Sequence, residues 1–228
     1  MPRVRQIDTL DVAPDPELMQ VIAGYEAQID KDLGVVIGVT ETAFSTRRGE
    51  VRNGENPFGN LVCDAMIAAT QADICIVNSG GIRGDRDYAA GVSLTRKTIL
   101  EELPFGNVTV VVEIEGKLLR EVLETGLGSD GGFPQIGGMS LTADMTRPVG
   151  NRLQSVSAGG KPLDDAASYK LATNNYLLNG GNGYVMLKQG KVLIDELGGQ
   201  YVAGQVIGYI ERRGKVAPKV EGRLVLTR

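Results

Sequence analysis

The chain has 228 residues, of which 42% are hydrophobic, so it is long and apolar enough to bury a sizeable core in one large domain. Its formal net charge is −4 and its basic and acidic residues are interspersed, which excludes a basic stripe for a nucleic-acid backbone. Histidine is absent, which excludes Ser-His-Asp, Cys-His and histidine-based metal chemistry for this chain acting alone. We expect no nucleic acid and no membrane among its partners, because no apolar run approaches the roughly 20 residues that span a bilayer.

The sequence pattern of the first 43 residues predicts a linker, a helix and a strand. Residues 1–16 are polar, with prolines at positions 2, 14 and 16, and are typical of a tail or linker. From Glu17 onward apolar residues recur at spacings of three and four, which predicts an amphipathic helix over 17–34. The residues from Val35 to Ala43 then alternate as a strand does.

The segment from Ser45 to Asn56 is dense in charge. Arg48 and Arg52 are four residues apart, so they would share one face of a helix. Gly49 and Gly54 favour a loop instead, and a charged run is most often a solvated face. We expect a loop here.

A predicted helix leads directly into a predicted buried strand. Asn56-Pro57 is a helix start signal, and the broad apolar face over 59–70 predicts the helix. The run Ile74-Cys-Ile-Val77 is uniformly apolar, which is the pattern of a strand covered on both faces. We expect the helix and the strand to pack against each other.

The predicted strand ends in a polar corner with two glycines, Asn78-Ser-Gly-Gly-Ile-Arg83. Gly80 and Gly81 let the backbone turn and let a ligand approach the main chain closely. The amide of Asn78 donates and accepts, and the guanidinium of Arg83 carries five fixed donors, so the pair suits a polar anionic ligand such as a phosphate ester. A solvated glycine turn explains the same residues, because one glycine-rich turn is weak evidence.

Cys63 and Cys75 are the only cysteines, one on the predicted helix and one on the strand that follows it. Two buried free thiols are the default interpretation. Because the helix and the strand would pack together, a disulfide in an oxidising compartment is the second interpretation.

The rest of the chain becomes richer in strands toward its end. Thr95 is a predicted cap for a helix over 96–102, and the loop after that helix presents Phe105. From Gly128 onward glycine-rich turns separate strands, which favours antiparallel pairing, and a second loop presents Tyr176. The other predicted elements are strands over 92–94, 108–114, 135–144, 153–158, 169–174 and 220–226, and helices over 117–127 and 196–212.

Four of these stretches, in their order and spacing, resemble the signature motifs of the C-terminal domain of 5'-nucleotidases, a family that includes UDP-sugar hydrolases and 2',3'-cyclic phosphodiesterases. The motifs are Gly59-Asn-Leu-Val-Cys-Asp-Ala65, Asn78-Ser-Gly-Gly-Ile-Arg83, Leu103-Pro-Phe-Gly-Asn107 and Asn179-Gly-Gly-Asn-Gly-Tyr184. The resemblance covers the chain from about Pro14 to its end. It implies a mixed α+β fold, layered α/β/β/α, over residues 35–228, with 17–34 as an interdomain helix and 1–16 as a linker.

The resemblance also implies partners that lie outside this sequence. In the family, an N-terminal metallophosphoesterase domain binds two divalent metal ions, and the C-terminal domain supplies the nucleotide pocket. The histidines and Asp-x-His motifs of that catalytic domain are missing here. The resemblance therefore implies a substrate-binding domain that has no metal site, cofactor or catalytic residue of its own and binds a nucleotide or nucleoside without hydrolysing it. It further implies a periplasmic or extracellular parent protein.

Residue by residue, the resemblance assigns the phosphate end of the nucleotide to Arg48, Arg52 and Arg83. Guanidinium groups suit this role because they pair bidentately with phosphate oxygens and keep their charge. Asn78 matches an asparagine that lines the nucleoside part of the pocket. Cys63 and Cys75 match a pair that is disulfide-linked in animal members of the family.

Phe105 and Tyr176 match two aromatic residues that sandwich the base in the family. Such stacking is worth about 1–3 kcal/mol per base by analogy with single-stranded nucleic acid, and it tolerates any base. Tyr176 stands where phenylalanine is common. Asn182 stands where the family usually has an aspartate that accepts hydrogen bonds from the ribose hydroxyls, so ribose binding should weaken or the substrate should differ.

Two alternatives to the substrate-binding domain stay open at this point. One is a non-catalytic binding or surface-interaction module that has kept the fold, which Asn182 favours. The other is a thiosulfohydrolase-type relative, which the retained corner of Asn78 and Arg83 disfavours.

Overall fold

The structure, a computed structural model, describes residues 12–228, apart from the side chains at 27, 29, 30 and 32. Most of the predicted linker, residues 1–11, lies outside the described part. Within the described part the α-helices are α1 (Pro16–Leu33), α2 (Arg48–Arg52), α3 (Pro57–Thr70), α4 (Arg96–Glu102), α5 (Gly116–Leu127), α6 (Asn175–Leu178) and α7 (Val202–Arg213). Short 3-10 helices cover Ser79–Gly81, Gly181–Gly183 and Val185–Gln189.

The strands of the described chain fall into four sheets. They are β1 (Val36–Thr40), β2 (Phe44–Ser45), β3 (Ile74–Asn78), β4 (Asp87–Tyr88), β5 (Ser93–Thr95), β6 (Thr109–Glu115), β7 (Pro134–Gly137), β8 (Met139–Asp144), β9 (Leu153–Ala158), β10 (Lys161–Pro162), β11 (Ser168–Asn174), β12 (Lys191–Ile194), β13 (Lys215–Val216) and β14 (Leu224–Thr227). The sheet orders are β12-β6-β11-β3-β7, β10-β9-β8-β14, β13-β1-β5 and β2-β4.

The five-stranded sheet is the centre of the molecule. Strand β11 runs parallel to β3 and antiparallel to β6, and β7 runs antiparallel to β3. The predicted antiparallel pairing of the second half therefore holds for most strand pairs, and β11-β3, β14-β8 and β13-β1 are parallel exceptions. Because β3 and β11 run the same way, the loops that follow them leave the same edge of the sheet.

Two apolar cores lie on opposite faces of this sheet, and β3 contributes to both. Cys75 and Val77 join the core that contains residues of α3 and α7. Ile74 and Ile76 join the core that contains residues of α5, β8 and β9. All four side chains are buried, which confirms the prediction of a strand covered on both faces. The predicted mixed α+β class is confirmed as well.

Helix α1 forms where the sequence predicts it. The carboxylate of Asp15 accepts hydrogen bonds from the backbone N–H groups of Glu17 and Leu18, so it caps the helix. The apolar face is not covered by the described residues, however, since Leu18 and Tyr25 are exposed. None of the described helices combines the length and apolar character needed to cross a bilayer.

Two predicted elements are wrong in detail. The single strand expected over 135–144 is two strands, β7 and β8, in different sheets, and Gly138 between them has a left-handed φ of +69°. The helix expected over 196–212 begins only at Val202. The carboxylate of Asp195 instead accepts hydrogen bonds from the N–H groups of Leu197 and Gly198 and turns the chain.

Substitution of Gly138 by alanine should destabilise the fold by about 2–4 kcal/mol, because a Cβ there would overlap the carbonyl oxygen of Asp73 and the left-handed backbone disfavours any side chain. Gly150→Ala is the matched control, since Gly150 has φ +88° and no atom of the described chain would lie within 4 Å of an added Cβ. Gly150→Ala should lower the free energy of unfolding only by the cost of a side chain in the left-handed backbone conformation, about 1 kcal/mol. Urea denaturation of both variants measures the difference, and equal losses would show that the contact with Asp73 does not matter.

Candidate functional site

The glycine-hinged corner lies directly beside the second unusual loop. Asn78 ends β3, and the 3-10 turn Ser79–Gly81 follows it. The Oδ1 atom of Asn78 accepts a hydrogen bond of 3.0 Å from Nδ2 of Asn174, the last residue of the parallel strand β11. Asn174 also caps α6 by accepting from the N–H of Leu177. The two loops that the sequence presents separately therefore share one hydrogen-bonded edge.

A cleft of about 420 Å³ opens at this edge. It brings together most of the site residues that the sequence predicts, and it adds Asn107 and Gly131. Its lining consists of Arg52, Asn78, Gly80, Arg83, Phe105, Asn107, Gly131, Tyr176 and Asn182. Two predicted residues lie just outside it: Arg48 lines an adjoining recess with Arg52 and Arg83, and Gly81 lines an adjoining apolar cavity.

Three arginines lie close together where this cleft meets the adjoining recess. The segment predicted as a loop over 45–56 contains the helix α2, which places Arg48 and Arg52 on adjacent turns. Burial lowers the pKa of Arg52 most, and the charges of Arg48 and Arg83 lower it further. Within the described chain none of the three makes a salt bridge to a carboxylate, whereas their neighbour Arg47 pairs with Asp87. The arrangement is a cluster of like charges that an anion would neutralise.

Arg83 belongs to this arginine cluster and also contacts an aromatic ring that lines the cleft. Its Nε atom donates a hydrogen bond of 2.8 Å to the carbonyl of Gly80, and its guanidinium carbon lies 5.0 Å from the centroid of the Phe105 ring. Such a contact is a cation–π interaction, which fixes both side chains at the mouth of the cleft.

Two half-exposed aromatic residues line the cleft. Phe105 is 55% exposed and Tyr176 is 44% exposed. The hydroxyl of Tyr176 donates a hydrogen bond of 2.6 Å to Oδ1 of Asn182, and Nδ2 of Asn182 donates to Oγ of Ser129 at 3.3 Å. Asn182 has a left-handed φ of 53°, a conformation that asparagine tolerates better than most residues.

A buried glutamine holds the arginine segment in place. Gln135 of β7 is 1% exposed, and its Nε2 atom donates to the carbonyls of Val51 at 3.0 Å and Gly54 at 2.9 Å. Its Oε1 atom accepts from the N–H of Asn56 at 2.8 Å. Helix α2 has no side-chain cap among the described residues, so these bonds explain why the segment is ordered although its glycines favour a loop.

A buried glutamate holds the segment that carries Arg83. Glu102 ends α4 and is fully buried, and its carboxylate accepts hydrogen bonds from Thr46, Tyr88 and the N–H of Gly84. Its backbone carbonyl accepts from the N–H of Arg83. Burial raises the pKa of Glu102, and the hydrogen bonds to its carboxylate oppose that shift.

Neither Gln135 nor Glu102 is singled out by the sequence patterns. A polar residue inside the apolar run Pro134-Gln-Ile136 is the one available sign, since a glutamine in a buried strand must find partners. Asn107 belongs to a motif in which Phe105 is more conspicuous, and Gly131 lies in a glycine turn without periodicity.

Both cysteines are buried and free. Burial raises the pKa of the Cys75 thiol well above its usual range, and the adjacent Cys63 side chain raises it further. The Sγ atom of Cys63 donates to the carbonyl of Gln135 at 3.5 Å, and the Sγ atom of Cys75 lies 3.9 Å from Sδ of Met66. The thiols are therefore neighbours, and the disulfide between them stays a prediction.

Fold and cleft together define a mixed α+β domain with an open cleft, in which two exposed rings lie beside Arg52 and Arg83. The chain belongs to the family described as 5'-nucleotidase, C-terminal domain, which matches residues 36–189.

Individual relatives agree with this assignment. The Trifunctional nucleotide phosphoesterase protein YfkN of Bacillus subtilis is 30% identical over 233 residues, which cover 92% of this chain and 15% of the relative. A 5'-nucleotidase of Diplobatis ommata is 29% identical over 236 residues, 94% of this chain and 41% of the relative. The crystal structure of a 5'-nucleotidase precursor from Thermus thermophilus superposes with a TM-score of 0.83 and 31% identity over 94% of this chain and 44% of that one. The chain thus spans less than half the length of each.

Replacing Gln135 by alanine should destabilise the protein by roughly 2–4 kcal/mol, because three buried backbone groups of the arginine segment lose their partner. Gln154→Ala, at an exposed position of β9, is the control and should change stability by less than about 0.5 kcal/mol. Thermal and urea denaturation report the loss. A Gln135→Ala variant as stable as the wild type would mean that water replaces the side chain.

The buried Glu102 predicts a specific pH dependence. Its folded-state pKa is raised, so its contribution to stability is fully present below the unfolded-state pKa of about 4.3 and is lost as pH rises through the folded-state pKa. Glu102→Gln cannot titrate, so its stability relative to the wild type should improve as pH rises from about 4 to 8. Urea denaturation across that range, with exposed Glu121→Gln as control, tests this. A stability difference that does not vary with pH would contradict it.

Proposed function

We propose that this chain is the substrate-binding domain of a 5'-nucleotidase-like, metal-dependent phosphohydrolase. In this proposal the rings of Phe105 and Tyr176 hold the base, and Arg48, Arg52 and Arg83 hold the phosphate. The observation that carries it is a cleft of the described chain lined by two half-exposed rings and by Arg52 and Arg83, with Arg48 in the adjoining recess. None of these three arginines has a carboxylate partner among the described residues. Exposed rings cost hydrophobic free energy that a stacked base recovers, and clustered guanidinium groups repel one another until an anion arrives.

Hydrolysis in this proposal belongs to a second domain. Among the described residues no group of three or more histidine, cysteine, aspartate or glutamate side chains could hold a metal ion. The described residues therefore do not fit a two-metal centre, and we assign the two divalent ions to an N-terminal metallophosphoesterase domain of the parent protein. Family membership and the partial coverage of the relatives support that arrangement. On the same family grounds we propose a periplasmic or extracellular location for the parent.

A second candidate is a non-catalytic binding module with the same fold. The observation that favours it is Asn182, whose carbonyl oxygen already accepts from Tyr176. A module of this kind would keep the cleft but bind a ligand other than a ribonucleotide.

Isothermal titration with AMP and with adenosine tests the proposed cleft. Phe105→Ala and Tyr176→Ala should weaken both ligands by about 5- to 150-fold, the range of one stacked base. Arg52→Ala and Arg83→Ala should weaken AMP by about 10-fold or more, because each removes a charge-assisted contact to phosphate, and should leave adenosine nearly unchanged. Arg120→Ala, a distant arginine paired with Asp165, controls for the loss of one positive charge.

The outcomes separate the two candidates. Binding of AMP that is insensitive to Arg52 and Arg83 would put the phosphate elsewhere. Because Arg83 also contacts the Phe105 ring, Arg52 provides the cleaner comparison. If the folded wild-type chain bound neither AMP nor adenosine, the nucleotide site would be refuted and the non-catalytic binding module would remain as the candidate function.

A further inference from the structure

We infer that the hydrogen bond between Tyr176 and Asn182 makes the cleft nearly indifferent to the sugar hydroxyls of its ligand, so that it binds 2'-deoxyribonucleotides about as tightly as ribonucleotides. The inference rests on the proposed function. In this inference the cleft selects its ligand by the base and the phosphate. Tyr176 and Asn182 together determine how little the sugar contributes to binding.

The first support is the set of acceptors in the cleft. Among the described residues that line it there is no aspartate or glutamate, so sugar hydroxyls would have to donate to neutral groups. Two of the three asparagine oxygens already accept a hydrogen bond, which leaves one lone pair on each: Oδ1 of Asn78 accepts from Asn174 at 3.0 Å, and Oδ1 of Asn182 accepts from Tyr176 at 2.6 Å. The third belongs to Asn107, two residues from Phe105.

The second support is that both ends of the Asn182 amide are held. The 2.6 Å bond from the Tyr176 hydroxyl is at the short end for an O–H donor, and the hydroxyl has only one proton to give. On the other side Nδ2 donates to Ser129, and Gly131 lies so close that an added Cβ would overlap this nitrogen. The amide therefore cannot turn toward a ligand without losing contacts on both sides.

The third support is energetic. A neutral hydrogen bond to Oδ1 of Asn182 adds only a few-fold to affinity, so a sugar hydroxyl gains little whether it replaces the Tyr176 hydroxyl or uses the second lone pair of that oxygen. A carboxylate at position 182 would differ, because its two oxygens carry a charge and one could keep Tyr176 while the other accepts from the sugar. The contact with the sugar would then be charge-assisted and would raise affinity by about tenfold or more.

The pair also has a positive role, because it holds the ring in place. Gly181 leaves room for the Tyr176 ring, since an added Cβ would lie 2.5 Å from the ring atoms. With the hydroxyl tied to Asn182, the ring is fixed against the turn before a base arrives, and less side-chain entropy is lost on stacking.

The test is isothermal titration of the full chain with AMP and 2'-deoxy-AMP. For the wild type the two dissociation constants should agree within about threefold. Asn182→Asp should raise the preference for AMP to about tenfold or more, since aspartate tolerates the left-handed backbone and restores a charged acceptor. The added negative charge near the phosphate would weaken both ligands alike, so the ratio of the two constants isolates the sugar. Tyr176→Phe frees Oδ1 of Asn182 and should raise the ratio to a smaller extent.

Asn151→Asp, at an exposed turn that does not line the cleft, is the charge-matched control and should leave the ratio unchanged. A wild-type preference for AMP of tenfold or more would overturn the inference and leave the proposed function intact. An unchanged ratio in Asn182→Asp would overturn the assignment of these two residues. Failure of both nucleotides to bind would overturn the proposed function and this inference with it.

Discussion

The three hydrogen bonds of buried Gln135 are the constraint on which the cationic end of the cleft depends. Helix α2 is too short and too rich in exposed polar backbone to be stable alone, so it needs partners from the core. Gln135 can supply them because Gly59 on α3 has no side chain to occupy its place. Its strand, β7, pairs with β3 so that Gln135 lies opposite Val77. The pair of strands that ends in the Asn78 corner therefore also anchors Arg48 and Arg52.

The cleft contains exposed rings and clustered positive charges, which each lower the stability of the fold. Buried polar side chains hold the loops that carry them. Two half-exposed rings, and three arginines that have no carboxylate partner within the described chain, would gain from burial or pairing elsewhere. They persist because Glu102, Gln135 and Asn174 satisfy the backbone of the loops that carry them. Such local departures from good packing, held by rigid surroundings, are typical of binding sites.

The two departures from the family pattern, Tyr176 and Asn182, are a single feature in the folded protein. A tyrosine hydroxyl in an apolar wall needs an acceptor, and the amide oxygen of Asn182 provides it. Taken separately, Tyr176 looks like a mild change from phenylalanine, and Asn182 looks like the loss of a carboxylate that would bind the ribose. Joined by a hydrogen bond, they become an alternative way to hold the ring of Tyr176, and in the proposed function they leave ligand selectivity to the base and the phosphate.

Local residue chemistry determined much of this protein. The two-faced strand Ile74–Asn78, the Asn56 cap of α3 and the Thr95 cap of α4 follow from apolar pattern and side-chain acceptors close in sequence. The spacing of the four motifs also identifies the family, because each motif is short and contiguous.

Only the tertiary structure decided the features that depend on distant partners. Helix α2 forms in place of a loop because Gln135, which is remote from it along the chain, satisfies its backbone. The strand expected over 135–144 breaks because Gly138 must pass the carbonyl of Asp73. The cleft itself exists because β11 pairs in parallel with β3 and joins two loops at one edge. Local sequence does not specify these pairings, since hydrogen bonds and close contacts between remote segments are fixed only when the whole core is packed.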